Sequence, residues 1–293
     1  MAVLRLALEA PSTLDPGYID DDVSTFLAAQ LFEGLVRIGE DHNVLPAAAQ
    51  RWEVRDGGTV YRFHLRPNLR WNDGRPLTAH DFVYAWQRNL MPQTESPSAH
   101  LLFIIKNGRK LAAGELDEAQ QLGAKAIDDL TLEVTLEHPA AYFPYLLAHT
   151  VTFPLLQEVV EADQEAWTRP GKLVCNGPFR CDANSTASRF SLSRSAAFEE
   201  RFGSNIARLE CTVYADYDAA LDAYGRDEVD AVSLLNASPE SILRAKARYG
   251  EEVLAIPRLS MLYVNFRNDQ PPFDDRRVRQ AFAHCIDKER LVA

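Results

Sequence analysis

Short stretches in which apolar and polar residues alternate occur along the whole chain, and this period of two predicts β-strands. The stretches are residues 3–8, 35–38, 52–54, 60–65, 131–136, 190–193, 209–214, 229–232 and 261–266. Gly57 and Gly58 lie between the third stretch and the fourth, so these two strands are expected to form a hairpin.

Apolar residues three or four positions apart predict helices between the strands. The helical stretches are residues 23–32, 82–90, 108–119, 142–148, 215–224, a segment that begins at 238–240, and a segment that carries Val278, Phe282 and Ile286. Thr78 and Asp81 have the spacing of a capping box before the second of these, and Pro92 ends it. Because strands and helices are mixed without a strict βαβ repeat, we expect α/β lobes with mixed sheets rather than a barrel.

The two ends of the sequence lack features that a complete secreted protein would carry. Residues 1–8 are too short for a signal peptide and contain Arg5, so a secretion signal either lies outside this sequence or does not exist. Asp287 looks like the cap of a further helix, but the sequence stops about one turn later without a C-cap. We therefore expect the sequence to be part of a longer protein.

Composition and charge restrict the class of function. The 293 residues suffice for two domains of ordinary size, and 46% hydrophobic with 25% charged residues is the balance of a globular protein. The net charge is −11, which argues against non-specific binding to nucleic acid or to an anionic membrane surface.

No pattern of catalytic or metal-binding residues stands out. The seven histidines are scattered, and the sequence contains no HExxH, GxSxG, Walker or GxGxxG motif, so neither an enzyme nor a bound cofactor is expected. Paired carboxylates occur at 20–22, 128–129 and 274–275. The last two pairs sit where Asp caps a turn or a helix, whereas the first run could cap or bind a ligand.

The cysteines and tryptophans favour structural roles. Cys175 and Cys181 could form a small disulfide, but their spacing is not that of a CxxC site, and two buried thiols are the favoured interpretation. The four tryptophans lie in or beside segments with core periodicity, which favours packing over ligand stacking. They are Trp52, Trp71, Trp86 and Trp167.

Six motifs, in the same order along the chain, resemble the family 5 extracellular solute-binding proteins, which serve ABC importers of peptides and nickel. The motifs are Leu14-Asp15-Pro16, Leu31-Phe32-Glu33-Gly34-Leu35, the run from Leu45-Pro46-Ala47 to Tyr61-Arg62-Phe63-His64-Leu65-Arg66, the signature from Trp71-Asn72-Asp73-Gly74 to Trp86, Asn176-Gly177-Pro178-Phe179, and Pro272-Phe273-Asp274-Asp275-Arg276-Arg277-Val278-Arg279-Gln280-Ala281. Ser96-Pro97 and residues 122–129 are similar to the oligopeptide-binding branch in particular.

The resemblance implies a periplasmic binding protein-like fold (type II, cluster C), an α/β bilobed fold with mixed sheets. It places residues 1–33 and 157–259 in lobe I and residues 34–156 in an inserted domain II. Residues 260–293 would be only the start of lobe III, so that most of the second large lobe is missing from this sequence.

The same resemblance implies a function. A monomeric binding component would enclose an oligopeptide between its lobes by hinge closure and deliver it to the permease subunits of an ABC importer. It would be periplasmic or extracellular and would associate with the membrane through the permease or a lipid anchor. Backbone hydrogen bonds to an extended peptide would supply affinity without reading its side chains.

Residues matched to ligand-facing positions of the family are the candidate binding residues. They are Asp20, Asp21, Asp22, Ser98, Tyr263 and Asn265. Ser98 stands where similar proteins have a larger aromatic residue, and Asn265 stands where they have an acidic one. The first departure weakens the expectation of a stacking contact with the ligand, and the second weakens the expectation of an ion pair with a positively charged ligand end.

The sequence leaves three other functions open. The fold could serve as the ligand-sensing domain of a cytoplasmic regulator, which would also explain the missing signal peptide. A nickel or haem ligand within the family is disfavoured by the scattered histidines. Catalysis would need a nucleophile or metal cluster that the sequence does not contain.

Overall fold

The order of strands and helices is given by a computed structural model, which describes residues 2–116, 118–196, 198, 205–256 and 263–287. The strands are β1 (Ala2–Leu8), β2 (Val36–Ile38), β3 (Val44–Pro46), β4 (Ala49–Arg55), β5 (Val60–Leu65), β6 (Ala124–Asp128), β7 (Thr131–Thr135), β8 (Phe179–Cys181), β9 (Arg189–Arg194), β10 (Ile206–Val213) and β11 (Ala231–Val232). The helices are α1 (Asp22–Leu31), α2 (Ala79–Leu90), α3 (Gly108–Ala112), α4 (Phe143–Leu146), α5 (Gln157–Ala162), α6 (Tyr217–Gly225), α7 (Pro239–Tyr249) and α8 (Arg276–Cys285). Two compact units comprise residues 1–243 and 244–293.

A five-stranded mixed sheet has the strand order β11-β1-β10-β9-β8. The inner strand β1 runs parallel to both of its neighbours, β10 and β11, with Leu6 opposite Cys211 on one side and Ala231 on the other. β9 and β8 complete the sheet in antiparallel fashion. The prediction of α/β lobes with mixed sheets is thereby confirmed.

A four-stranded antiparallel sheet, in the order β4-β5-β7-β6, has two chemically different faces. Phe63, Leu132 and Val134 are fully buried on one face. The register aligns four charged residues in one row across the other face: Glu53, Arg62, Glu133 and Lys125. Their signs alternate, so each charge lies opposite one of the other sign, which favours the pairing.

Helix α2 shows how local sequence fixes an element and then buries it. The backbone N–H of Thr78 donates to the Asp81 carboxylate at 2.7 Å, completing the predicted capping box. Phe82 and Trp86 are fully buried, and the Trp86 indole donates to the Thr152 carbonyl at 2.8 Å. Each of these aromatic side chains contributes about 1.5–3 kcal/mol by leaving water, so the helix is held by its buried face.

Three predicted elements differ in the structure. The helix expected over 108–119 ends at Ala112, because Gly114 adopts a left-handed φ of +69°. The strand expected over 229–232 contains only Ala231–Val232. Residues 263–266 of the strand predicted at 261–266 are irregular, since no partner strand exists for them among the described residues.

Other predictions fall partly or wholly outside what is described. Residues 261–262 and residues 288–293, where the helix after Asp287 was expected, lie outside the described residues. The predicted limits of lobe I, domain II and lobe III stay a prediction. The five-stranded sheet takes its strands from residues assigned to lobe I, and the four-stranded sheet from residues assigned to domain II.

The tryptophans and cysteines are mostly core residues. Trp71, Trp86 and Trp167 are buried, whereas Trp52 is only half-buried, with one side against Phe63 at a ring distance of 6.2 Å. Cys175 and Cys181 are free, buried thiols. Burial raises the pKa of Cys175 to about 12, so this thiol is unreactive at neutral pH.

The second unit contains α8 and a small aromatic cluster. Asp275 caps α8 by accepting the backbone N–H of Arg277 at 2.8 Å, as the sequence predicts. The rings of Phe266, Phe273 and Phe282 lie 5.0–5.7 Å apart. Phe282 meets the other two rings edge-on, and edge-on aromatic contacts are favourable beyond the area that they bury.

Candidate functional site

A cavity of about 340 Å³ lies at the carboxyl ends of the parallel strands β1 and β11, beside the start of α1. Ligands of open α/β sheets bind outside the carboxyl ends of the strands. Its apolar walls come from Leu6, Leu8, Val23, Phe26, Val232 and Leu235. Such walls can hold an apolar group of a ligand, and the polar residues at the rim can orient it.

The polar rim is partly fixed by hydrogen bonds within the protein. Asn236 donates from its side-chain amide to the Glu9 carboxylate at 3.1 Å. Tyr217 lies beside Glu9 but does not line the cavity; burial and the Glu9 carboxylate raise the pKa of Tyr217 to about 12, so the phenol stays protonated. Asp22 and Ser233 complete the rim, and Asp22 is exposed.

The three predicted aspartates have different surroundings. Asp21 is the N-cap of α1: its carboxylate accepts the Ser24 backbone N–H at 2.8 Å and the Ser12 hydroxyl at 2.5 Å. Burial opposes ionisation of Asp21, but the hydrogen bonds from Ser12 and Ser24 outweigh it and lower its pKa. Asp22 lines the cavity, and Asp20 is exposed just before the helix.

A buried ion pair fixes the chain that leads to these aspartates. Arg88 of α2 donates to both oxygens of Asp15, at 2.7 and 3.1 Å, and its guanidinium lies 5.4 Å from the centre of the Tyr18 ring. The Gly17 N–H donates to the same carboxylate at 2.9 Å. A Cβ at Gly17 would lie 2.3 Å from the Asn89 side-chain oxygen, so this approach requires glycine.

Ser98 lies in a segment that is attached to the same turn. The Ser96 hydroxyl donates to the Gly17 carbonyl at 2.5 Å. Ser98 itself is half-buried, and its carbonyl accepts the Leu101 N–H at 3.1 Å. Ser98 does not line the cavity.

Tyr263 and Asn265 belong to the second unit. Both are exposed, and Tyr263 retains 68% of its accessible surface. They lie in irregular chain just before Phe266, whose ring joins the aromatic cluster.

Several cavity residues were not found from the sequence. They are Glu9, Val23, Phe26, Leu235 and Asn236. The available signal was the position of Glu9 directly after the predicted strand 3–8, at the carboxyl end where ligands of such sheets bind. Leu235 and Asn236 reach the cavity through the pairing of β1 with β11, and Val23 and Phe26 reach it because α1 lies beside these strands. The hydrophobic pattern reveals neither arrangement.

The described residues contain neither a metal-binding cluster nor a membrane-spanning helix. No group of three or more His, Cys, Asp or Glu residues among them is placed to hold a metal ion. No helix in this part of the chain is both long enough and apolar enough to span a membrane.

Comparison with known proteins gives consistent matches. Residues 43–293 match the model of the bacterial extracellular solute-binding proteins, family 5 (middle region). The chain is 37% identical over 284 residues to the probable deoxycholate-binding periplasmic protein YgiS of Escherichia coli, and 35% identical over 285 residues to the periplasmic oligopeptide-binding protein OppA of the same organism. These alignments cover 96% of this chain but only 52% and 51% of the two relatives, so the chain spans about half their length.

A solved structure agrees with these sequence matches. OppA of Burkholderia pseudomallei superposes with a TM-score of 0.85 at 31% identity, covering 98% of this chain and 56% of that one. The resemblance in motifs is therefore matched by a resemblance in backbone over nearly all of the chain.

Proposed function

Because the chain belongs to the bacterial extracellular solute-binding proteins, family 5, we propose that it acts as the substrate-binding component of an ABC importer. It captures an oligopeptide in a cleft and delivers it to a membrane permease. The main support for this proposal is the cavity at the carboxyl ends of β1 and β11, which has Asp22 on its rim.

The proposed binding residues have different roles. Asp22 faces the ligand directly, Asp21 holds the start of α1 in place, and Asp20 contributes negative charge in front of it. Ser98, Tyr263 and Asn265 complete the set.

The cavity suggests how variety in the ligand is tolerated. Leu6, Leu8 and Phe26 offer apolar surface. Because hydrophobic contact has no preferred direction, different apolar side chains of a peptide can occupy the same space. Backbone hydrogen bonds then supply the affinity common to all peptides. Capture without chemistry agrees with a family of binding proteins rather than enzymes.

The setting follows from the same proposal. The protein acts as a monomer in the periplasm or outside the cell, and it meets the membrane through the permease or a lipid anchor. A net charge of −11 makes nucleic acid an unfavourable partner.

A second ligand class is favoured by one observation. The cavity walls are apolar, and a relative at 37% identity is named as a probable deoxycholate-binding protein. A steroid acid has an apolar body and a polar end, which would suit these walls and their polar rim.

Native mass spectrometry of the protein, purified from its own cells without added ligand, tests the proposal. A ladder of bound masses that match short peptides and are lost on denaturation supports the oligopeptide carrier. One sharp steroid mass supports the second ligand class. The absence of any bound mass, together with no affinity of the purified protein for peptides or for a steroid acid, would overturn both.

A matched pair of variants ties the ligand to the cavity. Asp22→Asn is expected to reduce the bound fraction, because it removes a rim charge. Asp129→Asn removes an exposed charge that does not line the cavity, and the bound fraction should stay unchanged. Equal losses in the two variants would contradict the assignment of the site.

A further inference from the structure

An open groove of about 850 Å³ lies on the four-stranded sheet, and the proposed function does not use it. Strand β4, the loop at 139–141 and helix α4 form it; we call it the β4 groove. Residues lining it include Val44, Trp52, Val54, Pro139, Pro144 and Tyr145. None of the described residues that line it carries a charge.

The β4 groove contains exposed apolar side chains. Val54 and Tyr145 keep 53% and 50% of their accessible surface, and Trp52 is only half-buried. On a chain with a net charge of −11, an uncharged groove with exposed apolar side chains offers a partner a contact surface without charge repulsion.

The same strand has an open backbone edge. β4 is the outermost strand of its sheet, with β5 on its inner side. The Ala49 N–H donates to the Leu35 carbonyl at 3.0 Å, which covers the start of the edge. Among the described residues, the backbone bonds outside the regular ladders do not involve residues 50–55. An edge of this kind is a template for a further strand.

The other face of β4 carries charged side chains, which would select the charges of a strand added beside it. Glu53 lies between Arg51 and Arg55 and pairs with both, at 2.8 and 2.5 Å. Their side chains stay partly exposed, so an added strand can contact them. Residues opposite each other on adjacent strands share a face. An added strand would therefore match this face with an acidic residue opposite Arg51, a basic residue opposite Glu53 and an acidic residue opposite Arg55.

Charged residues on an edge strand commonly protect it against pairing. On β4, however, the charges occupy only one face, and the alternate positions Trp52 and Val54 open into the β4 groove. The strand therefore presents a two-sided pattern rather than a uniformly charged edge.

We propose that β4 and the β4 groove bind an extended segment of a partner protein by strand addition. The segment carries apolar residues opposite Trp52 and Val54, and acidic, basic and acidic residues opposite Arg51, Glu53 and Arg55. Backbone hydrogen bonds to the open edge supply affinity, and the alternating side chains supply specificity.

A capped peptide probe tests this proposal. The probe contains Glu-Val-Lys-Tyr-Glu between glycine-serine tails, with an acetylated amino end, an amidated carboxyl end and a fluorophore. The control probe contains Lys-Val-Glu-Tyr-Lys, which has the same apolar residues and reversed charges. Fluorescence anisotropy is expected to show binding of the first probe at least about tenfold tighter, because three opposite-charge pairs become like-charge pairs in the control.

Variants of the protein locate the binding. Val54→Arg places a charge in the β4 groove and is expected to abolish binding of the first probe. Ile127→Arg is its matched control: Ile127 is also 53% exposed and lies on β6, the opposite edge of the same sheet. The triple variant Arg51→Glu, Glu53→Arg and Arg55→Glu should invert the preference between the two probes.

Three outcomes would overturn the proposal. Equal binding of both probes to the unmodified protein would remove the charge specificity. Binding that survives Val54→Arg but is lost in Asp22→Asn would place the probe in the cavity beside α1. A dimer in light scattering that Val54→Arg dissociates would identify a second copy of this chain, not a partner segment, as the occupant.

Discussion

The side chain of Asn176 pairs with the backbone of Glu33, which lies 143 positions earlier in the chain. Its amide nitrogen donates to the Glu33 carbonyl at 2.9 Å, and its amide oxygen accepts the Glu33 N–H at 3.1 Å. Both residues are buried. One side chain thus satisfies both backbone groups where the chain leaves α1, a place where neither a helix nor a strand does so.

Replacing Asn176 with alanine should lower the free energy of unfolding by about 2 kcal/mol, because the N–H and C=O of Glu33 would be left buried without partners. Urea denaturation measures the difference. Asn184→Ala, in an exposed turn, is the control and should change stability little. Equal effects of the two substitutions would mean that the pair with Glu33 contributes nothing.

Gly177 makes the next contact in the same segment. A Cβ on this residue would lie 2.4 Å from the Leu31 carbonyl carbon and 2.5 Å from the Phe32 nitrogen. Since backbone atoms cannot rotate away, Gly177→Ala should cost about 1–3 kcal/mol of stability by overpacking. Gly250 is the control: a Cβ there would meet no atom within 4 Å, and its left-handed φ is one that Asn tolerates. Gly250→Asn should therefore leave stability nearly unchanged, and thermal melts of both variants measure the difference.

The contrast between α2 and the contacts of Asn176 explains how far the sequence could be interpreted. The capping box of Thr78 and Asp81 lies within four consecutive positions, so the pattern predicts the start of the helix correctly. The partner of Asn176 is distant in sequence, and neither periodicity nor composition identifies it. The family motif placed Asn176 in a meaningful segment but did not say what its side chain binds.

The candidate site shows the same limit. Alternation predicts β1, yet it does not say that β11 pairs with it and thereby closes a cavity over Leu6 and Leu8. Trp52 has the spacing of a core residue, but its place on an edge strand leaves it half-exposed. Strand order is a long-range property, so exposure at an edge becomes visible only in the structure.

The ion pair of Arg88 and Asp15 should be essential to the fold. The Asp15 carboxylate is almost fully buried, with a side-chain exposure of 7%. Arg88→Met should therefore cost about 3–5 kcal/mol, because the carboxylate is left buried without its counter-charge. Arg189→Met breaks an exposed pair with Glu210 and should cost less than about 1 kcal/mol in the same urea titration.

Stability should fall on mild acidification because of His149. Burial, with a smaller contribution from nearby His100, lowers the pKa of His149 from its ordinary value of 6.5. Below about pH 6.5 the histidine is protonated in the unfolded chain but stays neutral in the folded chain. The unfolded state therefore gains a proton that the folded state does not bind, and the free energy of unfolding decreases as the pH falls.

A single substitution tests the role of His149. Its ring nitrogen accepts the Val151 N–H at 3.3 Å, and His149→Asn keeps an acceptor there without a titrating ring. The loss of stability between about pH 7 and about pH 5 should shrink in this variant, measured by denaturation at both values. His138→Asn, on an exposed loop, should keep the full loss. If His149→Asn keeps it too, other groups cause the pH dependence.

The apolar wall of the cavity beside α1 can be tested without disturbing the core. Leu235 lines the cavity but keeps 46% of its accessible surface, so Leu235→Gln should leave the fold intact. The polar amide replaces apolar surface that the ligand would cover, and affinity for the ligand found by native mass spectrometry should drop by about tenfold. Leu243→Gln makes the same chemical change at a residue that is 65% exposed and does not line the cavity, so its affinity should match the unmodified protein. Calorimetric titration compares the three proteins. An unchanged affinity in Leu235→Gln would mean that the ligand lies elsewhere, because an apolar group seated in this cavity cannot avoid contact with that wall.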